Sequence, residues 1–137
     1  MISIFFEDIS PTPNFDSEFL VSWISKVLDS ENKMLGEISY VFCSDEYLLE
    51  MNREHLNHDY YTDIITFDYC FENFVSGDLF ISIDRVLDNA KEFSSDFKDE
   101  LDRVCVHGVL HLCGYKDKSD DDEVLMRRKE DEKLLLR

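Results

Sequence analysis

Residues 1–137 are predicted to fold as one α+β domain, a small mixed four-stranded sheet covered by helices. Three observations predict it. Strand-like runs are confined to residues 1–83, and the last 54 residues are helical in pattern. The elements follow the order β-α-β-α-β-β-α-α-α. Only 4 Gly and 2 Pro punctuate the chain, so the elements are long, and no linker or repeat divides it. A chain of this length buries roughly two-thirds of its unfolded surface, enough for a core that needs no disulfide or metal.

Each element has its own signature. Ile2 to Phe6 is a short apolar strand, ended by Pro11 and Pro13. Asn14 can then cap a helix whose apolar residues Phe15, Phe19, Leu20, Trp23, Ile24, Val27 and Leu28 share one face. Gly36 opens a second strand, Glu37 to Cys43, and Ser44 caps a helix from Asp45 to about His55. Asp63 to Tyr69 and Gly77 to Ile83 are strands rich in β-branched and aromatic residues, joined across a hairpin from Cys70 to Ser76. Asp84 to Phe93 is helical, and Ser94-Ser95-Asp96 breaks that helix and can cap the next, Phe97 to Cys113. Gly114 ends this helix. Ser119 with Asp122 forms a capping box for the final helix, whose acidic first turn and basic later turns suit the helix dipole.

Composition excludes several function classes. Hydrophobic residues make up 44% and charged residues 33%, so the chain is not disordered. The 14 Lys+Arg against 31 Asp+Glu give a net charge of −17, which argues against non-specific binding to DNA or to anionic membranes. No apolar run approaches the ~20 residues of a membrane span. The first residues lack a basic segment and are not expected to be a signal peptide, which points to the cytoplasm. The four cysteines form no CxxC pair and are expected to be reduced thiols, with Cys113 in the core.

The informative stretch runs from His107 to Asp117. His107 and His111 lie one helical turn apart on the same face, ~6 Å along the axis. Gly114 allows a left-handed turn that can carry Asp117 back toward the pair. Two imidazoles and one carboxylate with an open fourth position describe a catalytic metal site, zinc above all, on a C-terminal helix followed by a glycine turn. The alternative is two histidines edging a polar helix face. The spacing HxxxHxxGxxD is close to the metzincin protease pattern, in which a glutamate general base follows the first histidine. Gly108 occupies that position here, which removes the base and is expected to leave room beside the metal for a bulky substrate or a close backbone.

The run HGVLHLCGY resembles the YbeY family of bacterial endoribonucleases, whose pattern is HGxLHLxGYDH. The resemblance extends to Thr62–Phe67, TDIITF against the family's TDVLSF, and to residues 77–82, GDLFIS against GDIxIS. Asn52-Arg53-Glu54 fits the asparagine-led stretch upstream. It implies one zinc ion per chain, a single-strand-specific endoribonuclease, and a role in 16S ribosomal RNA 3′ end maturation and ribosome quality control. Two positions depart from the pattern. Asp117 stands where the family has its third histidine ligand, and Leu56 stands where the family has a functional arginine, with Arg53 and His58 nearby. A carboxylate is an acceptable zinc ligand, but it weakens the Lewis acid and widens the range of metals.

Asp63 and Asp78, with Thr62, are candidates to orient the histidines or a water; each is otherwise a strand-end residue bonded to its own backbone. Residues 1–97 carry 5 Lys+Arg against 20 Asp+Glu, and residues 98–137 carry 9 against 11, so cations concentrate around the metal motif. Arg103, Lys116, Lys118, Arg127 and Arg128 are candidates to line an RNA groove, or to pair with neighbouring acids on a solvated helix face. The acidic remainder is expected to meet a basic partner, such as a ribosomal protein of the small subunit. Two other readings compete with the nuclease: a ribosome-assembly factor with a structural or vestigial metal, and a metal hydrolase for another substrate.

Overall fold

A computed structural model describes residues 1–10, 15–57 and 60–137; Pro11, Pro13, Asn14 and His58 lie outside them. The elements are β1 (Ile2–Glu7), α1 (Ser17–Ser30), β2 (Met34–Cys43), α2 (Asp45–Leu56), β3 (Ile64–Asp68), β4 (Phe74–Ser82), α3 (Ile83–Glu92), α4 (Phe97–Leu112) and α5 (Asp120–Leu134). The sheet order is β1-β2-β4-β3. β1, β2 and β4 are parallel, and β3 runs antiparallel to β4 along one edge, so the sheet is mixed and four-stranded as expected.

Side-chain alternation divides the core into two layers. Ile38, Tyr40 and Phe42 of β2, with Leu79 and Ile81 of β4, pack against α1 and α4. Cys43, Ile65, Phe67 and Phe80 face the other way, onto Leu48 and Tyr47 of α2. Tyr40, fully buried, donates its hydroxyl to the Cys105 carbonyl of α4 at 2.9 Å. α4 sits close to the sheet because residue 108 is glycine. A Cβ there would lie 2.8 Å from Ile64 Cδ1 and 3.0 Å from Leu79 Cδ2. Gly108 therefore serves the close approach of helix and sheet; the room expected for a bulky substrate is filled by Ile64 and Leu79.

Several element ends differ from the expected ones. The N-cap of α1 is Asp16, whose carboxylate accepts from the Phe19 amide at 3.0 Å. Phe15 consequently precedes the helix and packs edge-on against Phe6 and Phe42. β2 and β4 both begin three residues early, pairing Met34 with Phe74, because their exposed apolar ends break the alternation that marks a half-buried strand. α3 begins at Ile83, where Ser82 accepts from the Arg85 amide. Asp96 occupies the N-cap of α4 without a side-chain cap bond. The Ser119–Asp122 capping box is present in full.

α5 docks through an unusual face. Its buried residues are Met126, Glu130 and Lys133, two of them charged. The Lys133 ammonium, 1% exposed, meets Glu31 at 2.7 Å and the Ser30 hydroxyl at 2.8 Å. Trp23 donates its indole N–H to the Lys133 carbonyl at 2.9 Å. Tyr115 donates its hydroxyl to Glu31 at 2.6 Å, so one carboxylate ties α1, α5 and the turn after α4 together. Burial alone would raise the Glu31 pKa; hydrogen bonds from Lys133 and Tyr115, with the charges of Lys133 and Lys129, outweigh it and hold the pKa below its ordinary value.

A lowered carboxylate pKa stabilises the fold above the unfolded value and loses that contribution as pH falls through the folded one. The stability gap between wild type and Glu31→Gln is therefore expected to be largest near neutrality and to shrink as pH falls below about 4.5. Urea denaturation midpoints at a series of pH values check this; a gap that stays constant into acid would contradict it.

Candidate metal centre

α4 ends in a Schellman turn. The Tyr115 amide donates to the Leu110 carbonyl at 3.1 Å and the Gly114 amide to the His111 carbonyl at 3.0 Å. Gly114 supplies the left-handed residue, with φ of 108°. The reversal brings the Tyr115 carbonyl and then the Asp117 carboxylate back over the last turn of the helix. The predicted trio is thereby assembled: His107 Nε2 lies 3.0 Å from His111 Nε2, His111 Nε2 lies 3.1 Å from Asp117 Oδ2, and His107 Nε2 lies 3.5 Å from the same oxygen. Among the described residues these three form the one group of histidine, cysteine and carboxylate side chains able to hold a metal ion.

The triangle fits a metal. Ligands at bond lengths of 2.0–2.2 Å about a tetrahedral ion are separated by about 3.3–3.6 Å, close to all three sides. The outer nitrogens decide the direction of the lone pairs. His107 Nδ1 meets Glu130 Oε2 at 2.7 Å, and His111 Nδ1 meets the Tyr115 carbonyl at 2.9 Å. Both partners are acceptors, so both Nδ1 atoms carry hydrogen in this network and both Nε2 atoms turn a lone pair inward. Two lone pairs and a carboxylate oxygen converging on one point repel one another unless a cation lies between them.

The charges around His107 favour a cation there, whether a proton or a metal ion. Burial alone would lower the His107 pKa, but the bond to Glu130 and the charges of Glu130, Asp63 and Asp117 outweigh it and raise the pKa. Glu130 would likewise be raised by burial; His107 and Arg103, bonded to it and charged, hold it below its ordinary value. Arg103 bonds Glu130 at 2.8 Å and Asp131 at 2.7 Å, so the carboxylate is gripped from both sides.

The trio lies in the wall of a cleft of about 830 Å³. Asn52, Leu56, Tyr60, Lys116 and Lys118 also line it. Its floor is the open edge of β3. The Tyr69 amide donates to the Ser76 carbonyl and the Ser82 amide to the Asp63 carbonyl, so residues 63, 65, 67 and 69 bond toward β4. By alternation, the backbone groups of Ile64 and Thr66 point away from β4 along the cleft.

The remaining candidates fall as follows. Thr62 and Asp63 line the cleft with the histidines. Thr62 donates to the Ile64 carbonyl at 3.4 Å. Asp63 accepts a 3.4 Å bond from Asn89, and among the described residues it bonds neither histidine; burial raises its pKa. Asp78 is not brought to the site. Its neighbours Gly77 and Leu79 face α4, so alternation turns Asp78 to the opposite face of the sheet. Of the five cations, Lys116 and Lys118 line the cleft, Arg103 and Arg127 line a smaller cavity behind His107, and Arg128 lines neither. Cys113 packs partly buried against the core, and His55 packs edge-on against Phe67, its side chain half exposed.

Sequence reasoning missed Glu130. Its signal was available: Met126, Glu130 and Lys133 share a face by their 4- and 3-residue spacing, and a charge on an apolar residue's face asks for a partner. Glu130→Gln keeps an acceptor for His107 but removes the charge. It is expected to leave the protein folded and to weaken metal binding roughly 10- to 100-fold. Competition titration against a chromophoric chelator measures this, with circular dichroism reporting the fold.

Comparison with known proteins gives a consistent result. The family model described as endoribonuclease YbeY matches residues 6–136. Proteins named endoribonuclease YbeY include one from Flavobacterium psychrophilum, 60% identical over 85% of this chain and 83% of its own. Others are found in Bacteroides thetaiotaomicron, 50% identical over 91% of both chains, and in Porphyromonas gingivalis, 50% identical over 98% of this chain and 89% of its own. A Thermotoga maritima protein solved in solution superposes with a TM-score of 0.72 at 26% identity, over 99% of this chain and 88% of that one.

Proposed function

The chain belongs to the YbeY endoribonuclease family, and we propose from that premise that it is a zinc-dependent, single-strand-specific endoribonuclease acting in 16S ribosomal RNA 3′ end maturation and ribosome quality control. The observation that carries this reading is the triangle of His107 Nε2, His111 Nε2 and Asp117 Oδ2 in the wall of an open cleft. The three side chains would hold the ion. Bound there, a divalent metal supplies a Lewis acid for a phosphoryl oxygen of the RNA backbone.

The protein's own groups do the rest. Glu130 and the Tyr115 carbonyl hold both imidazoles in one tautomer and orientation, so the ligand atoms are preorganised. Thr62 and Asp63 stand beside them as residues that position the substrate or a water. Lys116 and Lys118 line the cleft and offer charge to the phosphates on either side of the scissile one. The β3 edge presents backbone donors and acceptors that an unpaired strand can reach with its bases, whereas a duplex has those edges already paired.

The protein's charge shapes how it meets its substrate. A net charge of −17 repels a polyanion at short range, so affinity for naked RNA is weak and recruitment runs through a basic protein of the small ribosomal subunit in the cytoplasm. No helix among the described residues is long and apolar enough to cross a membrane.

Elemental analysis of purified protein is expected to find about one zinc per chain, lost in His111→Ala together with cleavage of single-stranded RNA. Asp117→His is expected to retain the metal and tighten it. Protein that takes up no metal on titration would sink the reading. In parallel titrations, intact small subunits are expected to bind clearly tighter than their protein-free RNA, and the weak binding to naked RNA is expected to fall further with salt. Equal affinity for both would refute recruitment through a protein.

A further inference from the structure

Behind His107 lies a second cavity, of about 330 Å³. It shares Asp63 and His107 with the main cleft, so the imidazole of a metal-ligating histidine forms the wall between the two. Its other walls come from Asn89 and Phe93 of the α3 end, Glu100 and Arg103 of α4, and Arg127 and Glu130 of α5. The volume suits one small planar group and not a stack of them.

The charges there do not suit a phosphate. Arg103 is committed to Glu130 and Asp131, and Arg127 stands 3.7 Å from Glu130. Three carboxylates, Asp63, Glu100 and Glu130, set against two guanidinium groups leave no net positive field. What the cavity offers is an aromatic face and hydrogen-bonding groups. Phe93 lines the cavity with its phenyl ring and is 64% exposed, so the ring is open to a stacking partner. The Glu100 carboxylate, half-buried, accepts no hydrogen bond and makes no ion pair among the described residues, and burial raises its pKa. Arg127, with 65% of its side chain exposed, is held only by the 3.7 Å contact to Glu130, a weak restraint on turning inward.

Resting on the nuclease reading above, we propose that this cavity is a base pocket that seats one guanine of the single-stranded RNA lying across the metal centre. Phe93 stacks on the base. Glu100 accepts from the adjacent N1–H and N2–H₂ donors of guanine, and Arg127 donates to O6 and N7, the geometry by which arginine reads that base. The other bases fail on the same groups. Adenine and cytosine each turn a ring-nitrogen acceptor toward the Glu100 carboxylate beside a single amino donor. Uracil places its N3–H between two carbonyl oxygens that the carboxylate repels. A neutral, donor-rich base also explains how an acidic protein gains hold of RNA without a basic groove.

The test uses the purified, metal-containing full chain and fluorescein-labelled 2′-O-methyl pentanucleotides, which resist cleavage. They carry guanine, adenine, cytosine or uracil at the centre of a uridine background, and binding is read by anisotropy. The guanine pentamer is expected to bind about 10-fold tighter than the others. Glu100→Gln, which removes the charge and one of the two acceptor oxygens that guanine's paired donors need, is expected to weaken the guanine pentamer and, by relieving the repulsion of uracil's carbonyls, to leave the uridine pentamer bound at least as well as by wild type, so that the preference is lost. Phe93→Ala is expected to weaken the guanine pentamer about 10-fold. Melting temperatures within a few degrees of wild type keep the comparison fair. Affinities for all four pentamers within two-fold of one another, or a guanine preference that survives in Glu100→Gln, overturn the proposal. The two readings fail separately. Metal-dependent cleavage without a guanine preference removes the pocket and leaves the nuclease. A guanine preference without cleavage removes the nuclease and leaves the pocket.

Discussion

The carboxylate of Glu130 is buried, and the orientation of His107 follows from how that burial is satisfied. An ionised carboxylate out of water is costly unless charged donors surround it. Arg103 takes one oxygen and His107 the other. The same contact that satisfies the acid also fixes the ring of His107, the first residue of the candidate metal trio. Helix α5 is nearly polar all round, so a continuous apolar stripe does not hold it down; Glu130 at one turn and Lys133 at the next do much of that work. Replacing such buried ions with apolar residues of similar shape often leaves a fold intact. Here it would leave His107 without the acceptor that turns its lone pair inward. Charge at these positions therefore serves the orientation of the site more than the stability of the fold.

The second constraint is the depth at which α4 sits on the sheet. Gly108 lets the helix backbone come down onto Ile64 and Leu79. His107 and His111 are then presented beside the β3 edge, at the height where the cleft opens. The glycine that replaces the glutamate of metzincin-type proteases thus has a packing role of its own. A Cβ at this position would lift the helix or displace Ile64, a cleft-lining residue, so helix packing and site geometry are linked through one missing methyl group.

Local rules were enough to read the architecture, and the grouping of His107, His111 and Asp117, from sequence. The i, i+4 histidines, the glycine stop and the capping box at Ser119 each depend on fewer than ten consecutive residues, and each stands where its pattern places it. The misplaced features involve longer range or an inverted pattern. Met34 and Phe74 belong to strands although both are exposed, because hydrogen bonding between β2 and β4 continues past the end of the buried core. Asp78 stands in a motif beside the others, yet the period of a strand turns it to the far face. Glu130 is 23 residues from its histidine, and Glu31 is 84 residues from Tyr115. Partners at such separations are chosen by the tertiary fold; helical spacing marks Glu130 as a charge on a buried face but does not say which residue it meets.

The docking of α5 also sets an order of events during synthesis. Strands, α4, the Schellman turn and Asp117 all precede α5 in the chain, so synthesis delivers them first. A nascent chain can thus hold all three ligand residues before Glu130 and Lys133 exist. In that interval His107 has no acceptor for Nδ1, and Glu31 lacks the ammonium that steadies it against Tyr115. The His107 imidazole remains free to change tautomer and rotate, whereas His111 already has the Tyr115 carbonyl. The centre becomes a defined ligand set only when the final helix closes over it, so a chain still under construction carries the ligands of the site without its geometry.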